Sequence, residues 1–306
     1  MRIVFMGSPT FAVPTLKRLY QEGYSLLAVV TATDKPGGRN RQNWMQTAVK
    51  TAADELGIPV LQPTNLKDEN FLNTLRELKP DLFVVVAFRM MPEVLWSLPP
   101  YGSINLHASL LPDYRGAAPI NWAIIQGEKE TGLSTFFIRK DIDTGPLIRQ
   151  LPMPIKPEDN FESLHNRMMI EGAELVAQSL KDIQNPAFKP RSQEKASTKL
   201  APKISHDTGC LDFSRSAKLL VNQIRGLSPL PGAWFHTKVG PIKILAATVV
   251  NNPNSMEADA RIYSDFKSFI LLKTAEGYLA LDILQIPGKR PMRVKDFLNG
   301  NLPDWF

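Results

Sequence analysis

The sequence predicts an α/β protein: a Rossmann-like, doubly wound, mostly parallel sheet, followed by a smaller C-terminal OB-like β-barrel domain. Three observations carry this reading. From Arg2 to Leu106, apolar strand-like runs alternate with amphipathic helix-like segments, the pattern of repeated β-α units. One of these runs, Asp81–Ala87 (DLFVVVA), is apolar almost throughout, as a strand buried on both faces of a parallel sheet requires. Beyond Gly232 the pattern changes to several short strand-like runs separated by turn residues, which fits a small barrel.

Taken in order, Arg2–Met6 is a strand that ends at Gly7-Ser8-Pro9. Thr10 is placed to cap a helix with apolar positions Phe11, Val13, Leu16, Leu19 and Tyr20. Leu26–Thr31 reads as a second strand, Met45–Leu56 as a helix stopped at Gly57, and Pro59–Leu61 as the start of a short strand. Glu69–Leu78 is a helix, and Gly102–Leu106 is strand-like. Thr135–Ile138 and Leu147–Gln150 form a hairpin pair, followed by a helix from Asn160 to about Leu180. Asn185–Ser205 holds three Pro and five Lys or Arg against one Glu, with little apolar periodicity, and reads as an exposed basic linker. A helix over Ala217–Gly226 and strands at Gly232–Thr237, Ile242–Val250, Ala258–Tyr263, Phe269–Thr274 and Tyr278–Gln285 complete the chain. The expected division is residues 1–184, a linker at 185–205, and residues 206–306.

Composition narrows the class. The 306 residues are 43% hydrophobic and 22% charged, as in a soluble globular protein. No run approaches the roughly 18 apolar residues of a membrane span, and the N-terminus lacks a leader pattern, so a cytoplasmic protein with no membrane partner is expected. It is expected to be a monomer. The single cysteine, Cys210, excludes an intramolecular disulfide and a cysteine-based zinc site. The four histidines, 107, 165, 206 and 236, are too scattered to indicate a metal by spacing, and none is expected. A net charge of +6 makes a polyanionic partner easy to hold if the cations cluster. The opening strand–Gly–helix invites comparison with nucleotide-dependent dehydrogenases. Gly7 stands alone, however, without the G-x-G-x-x-G that brings a backbone close to a pyrophosphate.

The most informative stretch is Asn105–Trp122, NLHASLLPDYRGAAPINW, followed by Asp141-Ile142-Asp143-Thr144-Gly145. Asn105 and His107, two apart on an extended segment, point to the same face. With Asp143 they are three side chains suited to amide-forming chemistry. Taken singly, each has a plainer role, as turn former, hydrogen-bonded structural histidine or cap. Arg115-Gly116 invites a phosphate-binding reading, balanced by a structural turn whose arginine pairs with a carboxylate.

The run closely resembles the signature of the folate-dependent formyltransferases. The resemblance covers nearly all of the chain, through RIVFMGSPTFAVPTL, TDKPGGRNRQNWMQTAVK, VVVAFRMMP, the central run and LQIPGKRPMRVKDFL. It implies 10-formyltetrahydrofolate as co-substrate and a primary amine as acceptor. The family's Asn, His and Asp fall on Asn105, His107 and Asp143. The amide of Asn105 would donate to the developing oxyanion. His107 would carry a proton or stabilise the oxyanion, and Asp143 would orient the imidazole or order a relaying water. The family's folate-binding turn falls on Ser109, Leu110, Leu111 and Pro112, where free backbone amides would meet a pterin edge and the leucines its ring. Phe88, Arg89 and Met90 occupy a second pterin-pocket segment, where many relatives have Tyr-Gly in place of Phe88-Arg89; core packing is the plainer role for Met90 and Met91.

The resemblance also implies initiator methionyl-tRNA as partner. Lys35, Arg39, Arg41 and Trp44 lie on the loop that in relatives enters the acceptor stem, and Lys189 and Arg191 lie in the basic linker. Cations on a glycine-bearing loop suit a phosphate backbone, and an aromatic beside them suits a base. A formyltransferase for a small amine, such as an amino-sugar nucleotide, would share the trio without needing these cations. A non-catalytic RNA-binding protein would not need the trio.

Overall fold

The computed structural model describes residues 1–37, 43–193, 199–238, 240–251 and 261–300. Up to the long helix, its elements are β1 (Arg2–Gly7), α1 (Val13–Gln21), β2 (Ser25–Val30), β3 (Lys35–Gly37), β4 (Asn43–Met45), α2 (Ala48–Glu55), β5 (Val60–Leu61), α3 (Glu69–Leu78), β6 (Leu82–Val86), α4 (Glu93–Trp96), β7 (Ser103–His107), β8 (Arg115–Gly116), α5 (Pro119–Ile125), β9 (Glu130–Phe137), β10 (Leu147–Pro154) and α6 (Phe161–Gln184). There follow β11 (Leu200–Ala201), α7 (Ala217–Leu227), β12 (Ala233–Thr237), β13 (Gly240–Val250), β14 (Ile262–Ser264), β15 (Ile270–Lys273), β16 (Tyr278–Gln285), β17 (Met292–Arg293) and α8 (Val294–Leu298). The chain divides into two compact units that alternate along the sequence. Met1–Gly116, Thr131–Met153 and His165–Leu200 make the first; Ala117–Glu130, Pro154–Leu164 and Ala201–Phe306 make the second.

The first unit is built on a seven-stranded sheet in the order β10-β9-β7-β6-β1-β2-β5. The five strands from β5 to β7 are parallel, and β9 runs antiparallel to β7. The chain winds outward from β1 through β2 to β5, then returns to β6 and β7 on the other side of β1. The reversal lies between β1 and β6, where open α/β sheets hold their ligands beyond the strand carboxyl ends. Register sets Gly7 beside Val86 and Val86 beside Leu106, so the carboxyl ends of β1, β6 and β7 are level.

Both central strands are apolar because neither face meets water: Ile3 to Met6 and Leu82 to Val86 are all buried. Val4, Met6, Phe83 and Val85 pack with Phe71, Leu72 and Leu75 of α3. Each fully buried Leu or Phe in this layer contributes about 2 kcal/mol. The Asp68 carboxylate caps α3 by accepting from the Phe71 amide at 2.9 Å, and left-handed Lys79 (φ 50°) ends it.

Two sequence expectations are corrected in this unit. Thr10 does not cap a helix; Thr10–Ala12 is a 3-10 turn leading into α1, and Tyr20 faces solvent. The helix expected from Met45 begins at Ala48, because Thr47 supplies the cap through its hydroxyl, accepting from the Lys50 amide at 3.1 Å. Asn43–Met45 instead pairs antiparallel with Lys35–Gly37 as a hairpin.

The second unit is an antiparallel sheet in the order β12-β13-β16-β15-β14, with β17 added on β16, and it forms a barrel-like domain. Irregular register around Ala246 bends β13. Its inner face, with Ile242, Ile244, Leu272, Leu279 and Leu281, packs on Leu220, Ile224 and Leu227 of α7. Helix α5 packs on α7 as well, and the Asn121 amide donates to the Gly226 carbonyl at 2.8 Å. The strand expected at Ala258–Tyr263 lies partly outside the described residues; β14 spans Ile262–Ser264.

Candidate active site

Strand β7 carries Asn105 and His107 to the carboxyl edge of the sheet, on the same face. Asn105 sits between Val85 of β6 and Phe136 of β9. It is half-buried, and its side-chain amide makes no hydrogen bond among the described residues. His107 is buried, with the Phe136 ring edge-on at a centroid distance of 6.5 Å. Its Nε2 lies 2.9 Å from the carbonyl oxygen of Tyr114. A carbonyl only accepts, so Nε2–H is the donor and Nδ1 is the nitrogen left to exchange a proton. Nδ1 lies 3.6 Å from Oδ2 of Asp143, at ion-pair distance but beyond a direct hydrogen bond.

Asp143 reaches this position from the loop between β9 and β10 in a left-handed conformation (φ 54°), which for a non-glycine residue costs on the order of 1 kcal/mol. Several bonds hold it. The Gly116 amide donates to Oδ2 at 2.9 Å, and the Thr144 hydroxyl donates to the Asp141 carbonyl at 2.9 Å. The Gln193 amide donates to the carbonyls of Asp143 at 3.0 Å and Gly145 at 2.7 Å. Gly145 lies so close to β9 that a Cβ there would sit 1.6 Å from the Phe137 carbonyl oxygen, so no larger residue fits.

The Ser109–Pro112 turn follows β7 directly, but its groups are mostly turned inward. Leu111 is buried with Phe136 and Leu147. Its amide donates to Ser134 Oγ at 3.0 Å, and its carbonyl accepts from the Gln150 amide at 2.8 Å. Ser109 donates through Oγ to the Asp113 carbonyl and accepts at its own carbonyl from Ser134 Oγ at 2.7 Å. The expectation of a turn with free amides and exposed leucines is therefore corrected at Leu111, whose amide and side chain are both engaged. Leu110 and Pro112 remain partly exposed.

At the end of β6, Phe88 and Met91 pack partly into the core beside α3, together with Ile138. Met90 is 76% exposed, which removes core packing as its role. Arg89 lies 5.7 Å from the centroid of the Phe88 ring and donates to the carbonyls of Thr64 (2.9 Å) and Pro63. Arg115 pairs through Nη2 with the Gln193 side-chain oxygen at 2.6 Å, not with a carboxylate, and its buried Nε has no protein partner among the described residues.

Of the cations assigned to a nucleic acid, Lys35 is exposed on β3 opposite Met45, and Trp44, opposite Pro36 on β4, is 68% exposed; Arg39 and Arg41 lie outside the described residues. The hairpin is anchored at its base, where Lys50 donates to Asp34 at 2.5 Å and Gln62 donates to the same carboxylate at 2.7 Å. Lys189 is exposed. Arg191 is committed: its guanidinium donates to Gln150 at 2.5 Å, and its backbone exchanges hydrogen bonds with Leu147 at 2.7 and 2.9 Å. Residues 191–193 are thus fastened to the sheet edge rather than forming a free linker. Sequence reasoning passed over Tyr114 and Gln193, and read Gly116 only as part of a phosphate site or a turn, not as a donor to Asp143. Two of these act through backbone groups, and the third is a lone amide in a polar stretch, so no side-chain pattern marks them.

Comparison with known proteins identifies the family. Residues 1–180 match the family described as formyl transferase, and residues 203–302 match its C-terminal domain. The methionyl-tRNA formyltransferase of Parabacteroides distasonis is 45% identical over 309 residues, covering 98% of this chain and 95% of that one. That of Flavobacterium johnsoniae is 44% identical, covering 98% and 96%. Among solved structures, an N-formyltransferase from Helicobacter canadensis superposes with a TM-score of 0.69 at 20% identity, covering 92% of this chain and 98% of that one. With both matched segments and relatives of this identity spanning almost its whole length, the chain belongs to the formyl transferase family.

Proposed function

We propose that this protein transfers the formyl group of 10-formyltetrahydrofolate to the α-amino group of initiator methionyl-tRNA, giving N-formylmethionyl-tRNA. The observation that carries the reading is the placement of a free Asn105 amide and a buried His107 paired with the partly exposed Asp143 at the carboxyl edge of the sheet. Relatives of matching length carry the name of this activity.

The reaction needs a neutral amine, a held formyl group and a route for one proton. A free α-amine has a pKa of about 8, so a useful neutral fraction exists at pH 7. Asn105 supplies an uncommitted N–H donor for the formyl oxygen as negative charge grows on it. His107, with Nε2–H tied to Tyr114, can exchange a proton only at Nδ1, and that nitrogen faces Asp143. The amine nitrogen attacks the formyl carbon and passes its proton to Nδ1 of His107, whose ring Asp143 helps to orient from 3.6 Å. The tetrahedral intermediate then collapses by breaking the bond to the folate nitrogen, which takes up that proton as tetrahydrofolate leaves. Folate is assigned to the crevice bordered by Phe88–Met90 and the Ser109–Pro112 turn. Residues 206–306 are assigned to the tRNA, and no metal is invoked.

The deciding assay is formyl transfer from 10-formyltetrahydrofolate to charged initiator tRNA, run beside free methionine and amino-sugar nucleotides. Preference for the charged tRNA by orders of magnitude in kcat/KM is expected. Preference for the sugar nucleotide would move the protein to the small-amine branch of the family.

A further inference from the structure

Gln193 is the feature of the site that no motif announces. Its side-chain amide is committed at both ends. Nε2 donates to the carbonyls on either side of Thr144, at 3.0 Å to Asp143 and 2.7 Å to Gly145. Its Oε1 in turn accepts from Arg115 Nη2 at 2.6 Å. Arg115 immediately precedes Gly116, whose amide holds the Asp143 carboxylate. The amide of one side chain therefore ties together the two backbone segments that set the position of Asp143. It is itself held in reach by the paired backbones of Arg191 and Leu147.

We infer that Gln193 is a positioning residue for formyl transfer: it clamps the Asp143–Gly145 turn in its left-handed conformation so that the carboxylate stays on Nδ1 of His107. The inference rests on the catalytic role proposed for Asp143. Without the clamp, Asp143 relaxes from φ 54° toward an ordinary backbone conformation, which swings its carboxylate off the imidazole. A displacement of about 1 Å in a reacting group lowers a rate by as much as a hundredfold. Arg115 belongs to the same device, since a guanidinium on Oε1 turns the amide so that Nε2 faces the two carbonyls.

Two variants separate these interactions. Gln193→Glu keeps the size of the side chain and its pairing with Arg115 but cannot donate to the carbonyls. Gln193→Met fills similar space and makes none of the three hydrogen bonds. Both are expected to lower kcat by roughly ten- to a hundredfold, with KM for 10-formyltetrahydrofolate and for charged tRNA within threefold of wild type and the unfolding midpoint little changed. A purely structural role would move the midpoint or both KM values and spare kcat. Normal kcat in Gln193→Glu would overturn the clamp, because donation would then be dispensable. If Gln193→Met is poorly folded, the Glu variant decides alone. Asp143→Asn is measured in parallel. Full activity there would refute the role of Asp143 itself, whereas an impaired Asp143→Asn beside a normal Gln193→Glu would refute only the clamp. In the double variant Asp143→Asn, Gln193→Glu, kcat should fall no further than in Asp143→Asn alone; multiplicative losses would show that Gln193 acts elsewhere.

Discussion

Asp143 meets the buried ring of His107 from outside the strand that carries it, with Oδ2 3.6 Å from Nδ1. The meeting depends on backbone as much as on side chains: Tyr114 offers the carbonyl that fixes the ring, and Gly116 the amide that fixes the carboxylate. The chain between them, Tyr114 to Gly116, therefore holds both members of the pair. The rate should depend on the pair as a unit.

Replacing Asn105, His107 or Asp143 by Ala is expected to lower kcat about a hundredfold or more, the usual consequence of losing an oxyanion donor or a proton carrier. Binding of tetrahydrofolate, measured by calorimetry, should stay within a few-fold of wild type. Near-normal turnover in His107→Ala would remove the mechanism.

Ser134 is the anchor of the Ser109–Pro112 turn, accepting from the Leu111 and Gln150 amides and donating to the Ser109 carbonyl. Ser134→Ala leaves these buried groups without their partner and is expected to destabilise the fold by about 1–3 kcal/mol. If the turn borders the folate, KM for 10-formyltetrahydrofolate rises while KM for charged tRNA does not. Unchanged folate KM in a folded variant would take the turn out of the folate site.

The base of the β3–β4 hairpin gives a pH signature. The hydrogen bond from Lys50, helped by that from Gln62, holds the Asp34 carboxyl below the usual carboxylate range. A depressed folded-state pKa contributes stability above the unfolded value, about 4, and that contribution is lost as pH falls through the folded value. The gap in unfolding midpoint between wild type and Asp34→Asn is thus expected to be full at pH 7 and to close below about pH 4. A gap independent of pH would show that the ion pair is not its source.

The charge on the hairpin and beyond is testable through salt. Neutralising Lys35, Arg39, Arg41 and Lys189 together should weaken binding of charged tRNA and lower the slope of log affinity against log salt by about one for each phosphate no longer neutralised. Arg191 is left out of that set because Gln150 already engages it. Trp44→Ala is expected to reduce turnover more than the salt slope, since an aromatic contributes by stacking. A quadruple variant that formylates tRNA normally at physiological salt would make these cations plain surface.

What the sequence made legible follows from where the physics is local. The parallel sheet showed because DLFVVVA must be apolar on both faces, and the helix at Glu69–Leu78 showed because its buried positions recur at helical spacing. Asn105 and His107 could be placed on one face by alternation alone. The hairpin at Lys35–Met45 was hidden because three-residue strands leave no periodicity. Leu111 looked like a ligand contact because a leucine beside a proline turn reads the same whether it faces a pocket or the core. Gln193 was invisible because it satisfies carbonyls that only the folded chain brings together.

Helix α5 has an outcome for modularity. It sits in sequence between the strands that carry His107 and Ser134, yet it clusters with the C-terminal unit, where Asn121 bonds to Gly226. A Cβ at position 226 would lie 2.6 Å from Ile125 and 2.9 Å from the Asn121 carbonyl oxygen. A chimera crossed over in the 185–205 segment would therefore join one parent's α5 to the other's α7. Such an exchange succeeds only when the incoming half brings a glycine to meet the resident isoleucine, so the two halves of the gene are not interchangeable cassettes.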